Sequence, residues 1–177
     1  MTSRRWNVAA GLVAMAVGIA LTVQVRAGAD NVAFPENFAK GVKWLTVNRT
    51  KTKEVHEHFT TPAAVEAARK DQPMPSGTVF ALARYAAQLD AQNNPIKGPD
   101  GFFLKGKLLG YGVMEKRTGW GRDYPEALRN GEWEYRVFMA DKKPDTTKNL
   151  NACFECHKSQ VSRDYIHAYD KLKQADR

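Results

Sequence analysis

From Trp44 to Met139 the chain returns repeatedly to short apolar runs framed by Gly, Pro, Asn or Asp. Trp44-Leu45-Thr46-Val47 reads as a strand, and a second, around Val55 to Phe59, follows a polar turn. Gly77 to Tyr85 is a further β-run, and Phe102 to Lys116 contains another, bent at Gly106, Gly110 or Gly112. Glu132 to Met139 places Trp133, Tyr135, Val137 and Met139 on one face, as a strand with one buried side must, because successive side chains point to opposite faces. Helical signals are fewer. Phe34-Pro35-Glu36-Asn37-Phe38 begins a short helix, with Pro35 near its first turn. The best marked runs from Thr61 to Arg69: Thr61 can cap the free amides, Pro62 suits the first helical position, and the alanines favour helix until Pro73 and Pro75 forbid it. Asn93 to Gly101 is a loop, and the tail from Asn149 onward reads as helical. So many strand-like segments ahead of the tail do not fit a helical bundle. The expected fold is therefore α+β, an antiparallel β-sheet with a few short helices.

The amino terminus follows a different pattern. Arg4 and Arg5 precede an almost entirely apolar run from Val8 to Val25, and Val25-Arg26-Ala27 offers a cleavage site. Residues 1–27 are expected to be a signal peptide cut after Ala27, or after Ala29, and residues 28–177 a single domain. An uncleaved anchor is the alternative, since a bilayer span needs ~20 apolar residues. Either way the body is expected outside the cytoplasm, in the periplasm. The whole chain of 177 residues is 43% hydrophobic and 26% charged, an ordinary globular composition. Removing Arg4, Arg5 and Arg26 lowers Lys+Arg from 27 to 24 against 19 Asp+Glu, an excess of +5. The lysines are scattered and form no stripe interleaved with aromatics, so nucleic acid is not an expected partner. What remains for the charge is a solvated surface, or steering toward an anionic redox partner protein.

Candidate chemistry is concentrated at one place. The only cysteines, Cys153 and Cys156, stand with His157 in a C-x-x-C-H motif near the carboxyl end. In that motif two thiols add across the vinyl groups of haem, and the adjacent imidazole is placed to bind iron axially. A zinc site needs four ligands, and no second cysteine pair accompanies this one. A redox C-x-x-C calls for a βαβ setting, which is absent. One covalently attached haem c, with Cys153 and Cys156 as attachment points and His157 as the iron ligand, is the expected cofactor.

Candidates for the other side of the iron are Met74, Met114, Met139, His56, His58 and His167. None has a distinctive setting: a methionine on a strand is ordinary core filling, and the histidines beside Glu57 read as surface residues. A position without a protein ligand implies binding of a small molecule such as nitric oxide or hydroxylamine.

Several segments, taken in order, resemble the family of cytochrome P-460 and cytochrome c′-β. They are Phe34-Pro35-Glu36-Asn37-Phe38 followed by Trp44, the Thr61-Pro62 helix leading to Ser76-Gly77-Thr78-Val79, Gly101-Phe102-Phe103, Gly131-Glu132-Trp133, and Cys153-Phe154-Glu155-Cys156-His157-Lys158. The resemblance spans most of Phe34 to Leu172. It implies a largely β, usually homodimeric periplasmic protein with one five-coordinate c-type haem. Members of the P-460 type carry a lysine on the strand after the Gly-Thr turn, joined covalently to a haem meso carbon, and they oxidise hydroxylamine.

Leu82 stands where that lysine is expected, and no lysine lies between Lys70 and Lys97. This departure favours the c′-β side of the family, in which an uncross-linked haem binds nitric oxide. On a strand Thr78, Phe80, Leu82 and Arg84 share one face, so a haem touching Leu82 also meets Phe80 and approaches Arg84. An apolar lid of that kind admits small uncharged gases and offers no base for hydroxylamine. The Arg84 guanidinium can hold a propionate or donate to a bound ligand. Core packing for Phe80 and Leu82, and a surface salt bridge for Arg84, are the plainer readings. A hydroxylamine-oxidising P-460-like enzyme and a six-coordinate electron carrier are the alternatives for the whole chain.

Overall fold

A computed structural model describes residues 31–176, and the expected signal peptide lies outside the described residues. Each apolar run becomes a strand: β1 (Val42–Arg49), β2 (Glu54–Thr60), β3 (Val79–Ala87), β4 (Lys105–Lys116) and β5 (Trp133–Met139). They form one sheet in chain order, every neighbouring pair antiparallel. Three short helices complete the α+β fold: α1 (Pro62–Arg69), α2 (Asn151–Lys158) and α3 (Tyr169–Lys173). Helix α1 matches its sequence signals. The Thr61 hydroxyl accepts from the Ala64 amide at 3.2 Å, a cap that stabilises by ~1 kcal/mol.

Pleating divides the sheet into two unlike faces. Phe59, Ala83, Tyr111, Val113 and Phe138 point to one side, where Val32, Phe34 and Phe38 of the amino-terminal segment cover them. Edge-to-face rings, with Phe34 4.9 Å from Tyr111 and Phe38 5.1 Å from Phe59, close that layer. The other side carries Phe80, Met114, Trp133 and Tyr135, packed beneath α1, α2 and α3 through Val65, Phe154 and Leu172. Helices α2 and α3 belong to this second face, whereas Leu150, just ahead of α2, packs against the first.

Two irregularities shape that face. The β1–β2 register shifts between Lys43 and Leu45, and the extra residue, Trp44, swings its ring against His58 and Phe80, at 5.6 and 5.9 Å between centroids. In β4 the register shifts beside Gly110, which has φ +143 and lies so close to β5 that a Cβ there would meet the Phe138 carbonyl at 2.5 Å. Of the three glycines expected to bend this strand, Gly110 carries a left-handed backbone that only glycine accepts readily.

The structure differs from the sequence reading at both ends of the domain. The first helix is a single 3-10 turn at Phe38–Lys40, because Pro35 lies before it and its carbonyl only accepts from the Phe38 amide at 3.0 Å. The tail is not one helix. After α2 come a 3-10 turn at Val161–Arg163 and then α3, because Asp164, Tyr165 and Ala168 adopt φ of 50°, 63° and 53°. No helix among the described residues is long and apolar enough to cross a membrane.

Candidate functional site

Helix α2 is fixed by its single buried side chain, Phe154, whose ring lies 5.0 Å from Tyr124 and 4.7 Å from Tyr135. The Asn130 amide secures the contact, donating to the Phe154 carbonyl at 2.9 Å and to the Tyr135 hydroxyl at 3.0 Å. With Phe154 turned inward, Cys153, Cys156 and His157, spaced i, i+3 and i+4, share an adjoining face of the helix. Cys153 is half-buried and Cys156 exposed. Burial, reinforced by neighbouring Cys156, pushes the Cys153 thiol up, so it rests as the thiol.

His157 is held in one orientation. Its Nδ1 lies 2.7 Å from the Tyr165 carbonyl, its ring 4.9 Å from Tyr135 on one side and 4.9 Å from His167 on the other. A carbonyl only accepts, so Nδ1 carries the proton and Nε2 keeps its lone pair, the form a metal requires. Burial holds the imidazole below the ordinary histidine value, against the pull of the Tyr165 hydrogen bond. Tyr165 is in turn positioned by Asp164. That carboxylate accepts from the Met74 amide at 2.7 Å, from Lys116 Nζ at 2.7 Å and from Trp133 Nε1 at 3.2 Å, which secures the left-handed pair of residues 164–165.

Strand register defines the surface beside α2. Thr60, Phe80, Met114 and Tyr135 form a buried row, and the next row is His58, Leu82, Gly112 and Val137, all only half-buried. Beyond it lie His56, Arg84, Gly110 and Met139. The residues facing away from α2 next to this middle row, Ala81, Ala83, Tyr111, Val113 and Phe138, are fully buried. This half-open strip, apolar apart from His58, lies beside the motif helix and is the candidate binding surface. At its centre Gly112 leaves a hollow whose wall is Leu82, 3.7 Å from where a Cβ would stand.

The expected site residues fall out unevenly. Phe80 is core, its ring 5.9 Å from both Trp44 and Trp133, whereas Leu82 lies in the open row. Arg84 already has a partner: its Nε and Nη2 donate to the two Glu54 oxygens at 3.2 Å, which is the salt-bridge reading rather than a free guanidinium for a ligand. Burial would raise the Glu54 carboxyl, but hydrogen bonds from His56 and Arg84 outweigh it and hold the group below its ordinary range.

The reading of His56 and His58 as surface residues is overturned. β2 lies inside the sheet between β1 and β3, so His56 is buried with Nε2 2.7 Å from Glu54, and His58 is half-buried under Trp44. Burial, aided by His56, Arg49 and His157, lowers His58 to about 4. Met74 and Met114 are core residues, Met139 is exposed at the strand end, and His167 packs on the motif helix itself, with Nε2 3.2 Å from the Cys156 carbonyl.

These residues fit a haem. Two thiols and one imidazole of fixed tautomer stand on one helix face beside an apolar strip with a central hollow. Buried polar atoms left without partners, Trp44 Nε1 and His56 Nδ1, lie on the same face. Among the described residues no group of three or more His, Cys, Asp or Glu side chains is arranged to hold a metal ion. A separate cavity of about 360 Å³, lined by Phe38, Phe59, Val79 and Ala81, opens on the opposite face and takes no part in this arrangement. Sequence reasoning gave Trp44 no part in the site, left His58 as one undistinguished candidate among six, and passed over Asp164. Period-2 counting from Leu82 reaches His58 only once the β2–β3 register is known.

No curated protein sequence matches the chain significantly. A family model described as Cytochrome P460 matches residues 35–168, and that family implies a haem cofactor. Because the match begins in the segment covering one sheet face and runs through all five strands to the helix bearing both thiols, the chain belongs to the cytochrome P460 family.

Proposed function

We propose that the protein is an exported mono-haem c-type cytochrome that binds nitric oxide or a related small nitrogen ligand. Cys153 and Cys156 would attach the haem and His157 would ligate its iron. Bound there, the haem would supply an iron able to take up a small ligand. The observation that carries this reading is the half-open row, in which Leu82, Gly112 and Val137 offer no nitrogen, sulfur or oxygen to a metal or to a porphyrin edge, and His58 offers a neutral imidazole but no amine for a lysine-type cross-link. Lys116, on this face of β4, is two rows away and ion-paired with Asp164, so it is unsuited to a cross-link. Glu54 is engaged by Arg84 and His56, which leaves it unsuited as a base for hydroxylamine. Apolar walls favour small uncharged ligands over ions, since burying an unpaired charge is costly. Export to the periplasm, assembly as a homodimer and exchange of electrons with a redox partner protein belong to the same reading.

Optical spectra test it. The exported protein is expected to give a positive pyridine haemochrome assay, a ferrous Soret band at an ordinary c-type position, high-spin features, and a clear spectral change with nitric oxide. A strongly red-shifted ferrous band, or turnover of hydroxylamine with an electron acceptor, would replace this reading with the enzymatic one.

A further inference from the structure

We propose that His58 and Trp44 form a paired hydrogen-bond site on the sheet side of the haem site, one that holds a small ligand by its outer, accepting atom. This inference rests on the haem reading above and adds a selectivity to it: ligands with a terminal oxygen or nitrogen lone pair, such as nitric oxide, are retained over those without one.

Four observations converge. Register sets His58 directly beside Leu82 in the half-open row, next to the hollow at Gly112. The β1 bulge brings the Trp44 ring 5.6 Å from His58, inclined at 64°. The Trp44 Nε1 is buried and has no hydrogen-bond partner among the described residues. An indole N–H is a donor only, and leaving it unsatisfied in the interior costs about 1–3 kcal/mol, so a partner is owed to it. Neither ring nitrogen of His58 makes a hydrogen bond to a described residue, in contrast to His56, which is bound to Glu54, and His157, bound to the Tyr165 carbonyl. The one imidazole with both nitrogens unpartnered among these three is therefore the one on the open strip.

The chemistry follows from the environment. Burial keeps His58 neutral, so it presents one N–H donor and one lone pair without bringing a charge onto an apolar floor. The nearby cation, Arg84, is neutralised by Glu54 in the adjoining rows. A donor without net charge stabilises a polarised neutral ligand and gives little to a cation, and the apolar residues beside it strengthen the hydrogen bond by excluding water.

Three variants with two probe gases decide the matter. Haem content is first compared by pyridine haemochrome; absence of haem from the wild-type protein would refute the cytochrome reading itself, and this proposal with it. With haem present, His58→Leu is expected to raise the C–O stretching frequency of the ferrous carbon monoxide complex and to speed nitric oxide dissociation ~10-fold, the effect of one lost hydrogen bond. Trp44→Phe, which keeps the aromatic packing, is expected to move both readouts in the same direction, and His58→Gln to restore part of the change. Unaltered frequency and dissociation rate in haem-loaded His58→Leu and Trp44→Phe would overturn the proposal. So would a low-spin six-coordinate wild-type spectrum that turns high-spin in His58→Leu, since His58 would then be an iron ligand.

Discussion

Replacing Asp164 by alanine is expected to lower the free energy of unfolding by about 3 kcal/mol and to disturb the iron ligand at the same time. The side chains of Asp164 and Lys116 are 18% and 14% exposed, so the pair is largely withdrawn from water. Removing the carboxylate leaves the Lys116 ammonium, the Trp133 indole N–H and the Met74 amide without their acceptor, and an uncompensated, largely buried charge is the costliest of these. It also removes what holds residues 164–165 in a left-handed backbone, which alanine adopts less readily than aspartate. Because the Tyr165 carbonyl is the partner of His157 Nδ1, relaxation of this segment loosens the imidazole. Urea denaturation gives the stability, and the iron–histidine vibration of the ferrous protein reports the ligand. Asp164→Asn, which keeps the shape and tolerates the backbone, is expected to cost about half as much. A loss below ~1 kcal/mol in the alanine variant would show that Asp164 does not organise this corner.

The second large effect is all-or-none. A chain with alanine at both Cys153 and Cys156 is expected to give up all its haem to acidified acetone, whereas the wild-type protein retains it and each single variant retains it through one thioether bond. The fold is expected to survive, since α2 is anchored by Phe154 and Asn130 and not by the cysteines. Circular dichroism of the double variant checks that separately from the extraction. Release of haem from the wild-type protein would sink the covalent assignment while leaving His157 as a candidate ligand.

What the sequence disclosed, and what it withheld, has a common cause. Alternation at Trp133, Tyr135 and Val137 marks a strand because side-chain alternation is a property of neighbouring residues, yet the one buried side it predicts is corrected: β5 is covered on both faces, with Glu134 and Phe138 buried and Met139 exposed. Helix α1 is legible because Thr61 and Pro62 act within one turn. The C-x-x-C-H motif is local for the same reason. Trp44, by contrast, reaches His58 only through a bulge, and no residue adjacent to it announces one. His58 and Leu82 become neighbours through a pairing across 24 positions, and Arg84 meets Glu54 across 30, so the plainer salt-bridge reading of Arg84 is settled by register alone. Asp164 reads as an ordinary loop residue until Met74, Lys116 and Trp133, remote in the chain, converge on it. Its neighbour Tyr165 matters through a backbone carbonyl, which composition cannot reveal.

The strand order, each strand hydrogen-bonded to the one before it in the chain, has a consequence for biosynthesis. Only the β1–β2 connection is a short turn, but each strand pairs with its predecessor across no more than 18 intervening residues, so the sheet can assemble stepwise as the polypeptide emerges, with no crossover to await. The segment bearing both thiols comes after every strand and has no part in their pairing. Its sulfurs therefore stay accessible to an attachment machinery while the scaffold beneath is already set. Pulse-labelling amide exchange during refolding is expected to protect β1 to β4 before residues 151–173, and simultaneous protection would deny that maturation has such a window.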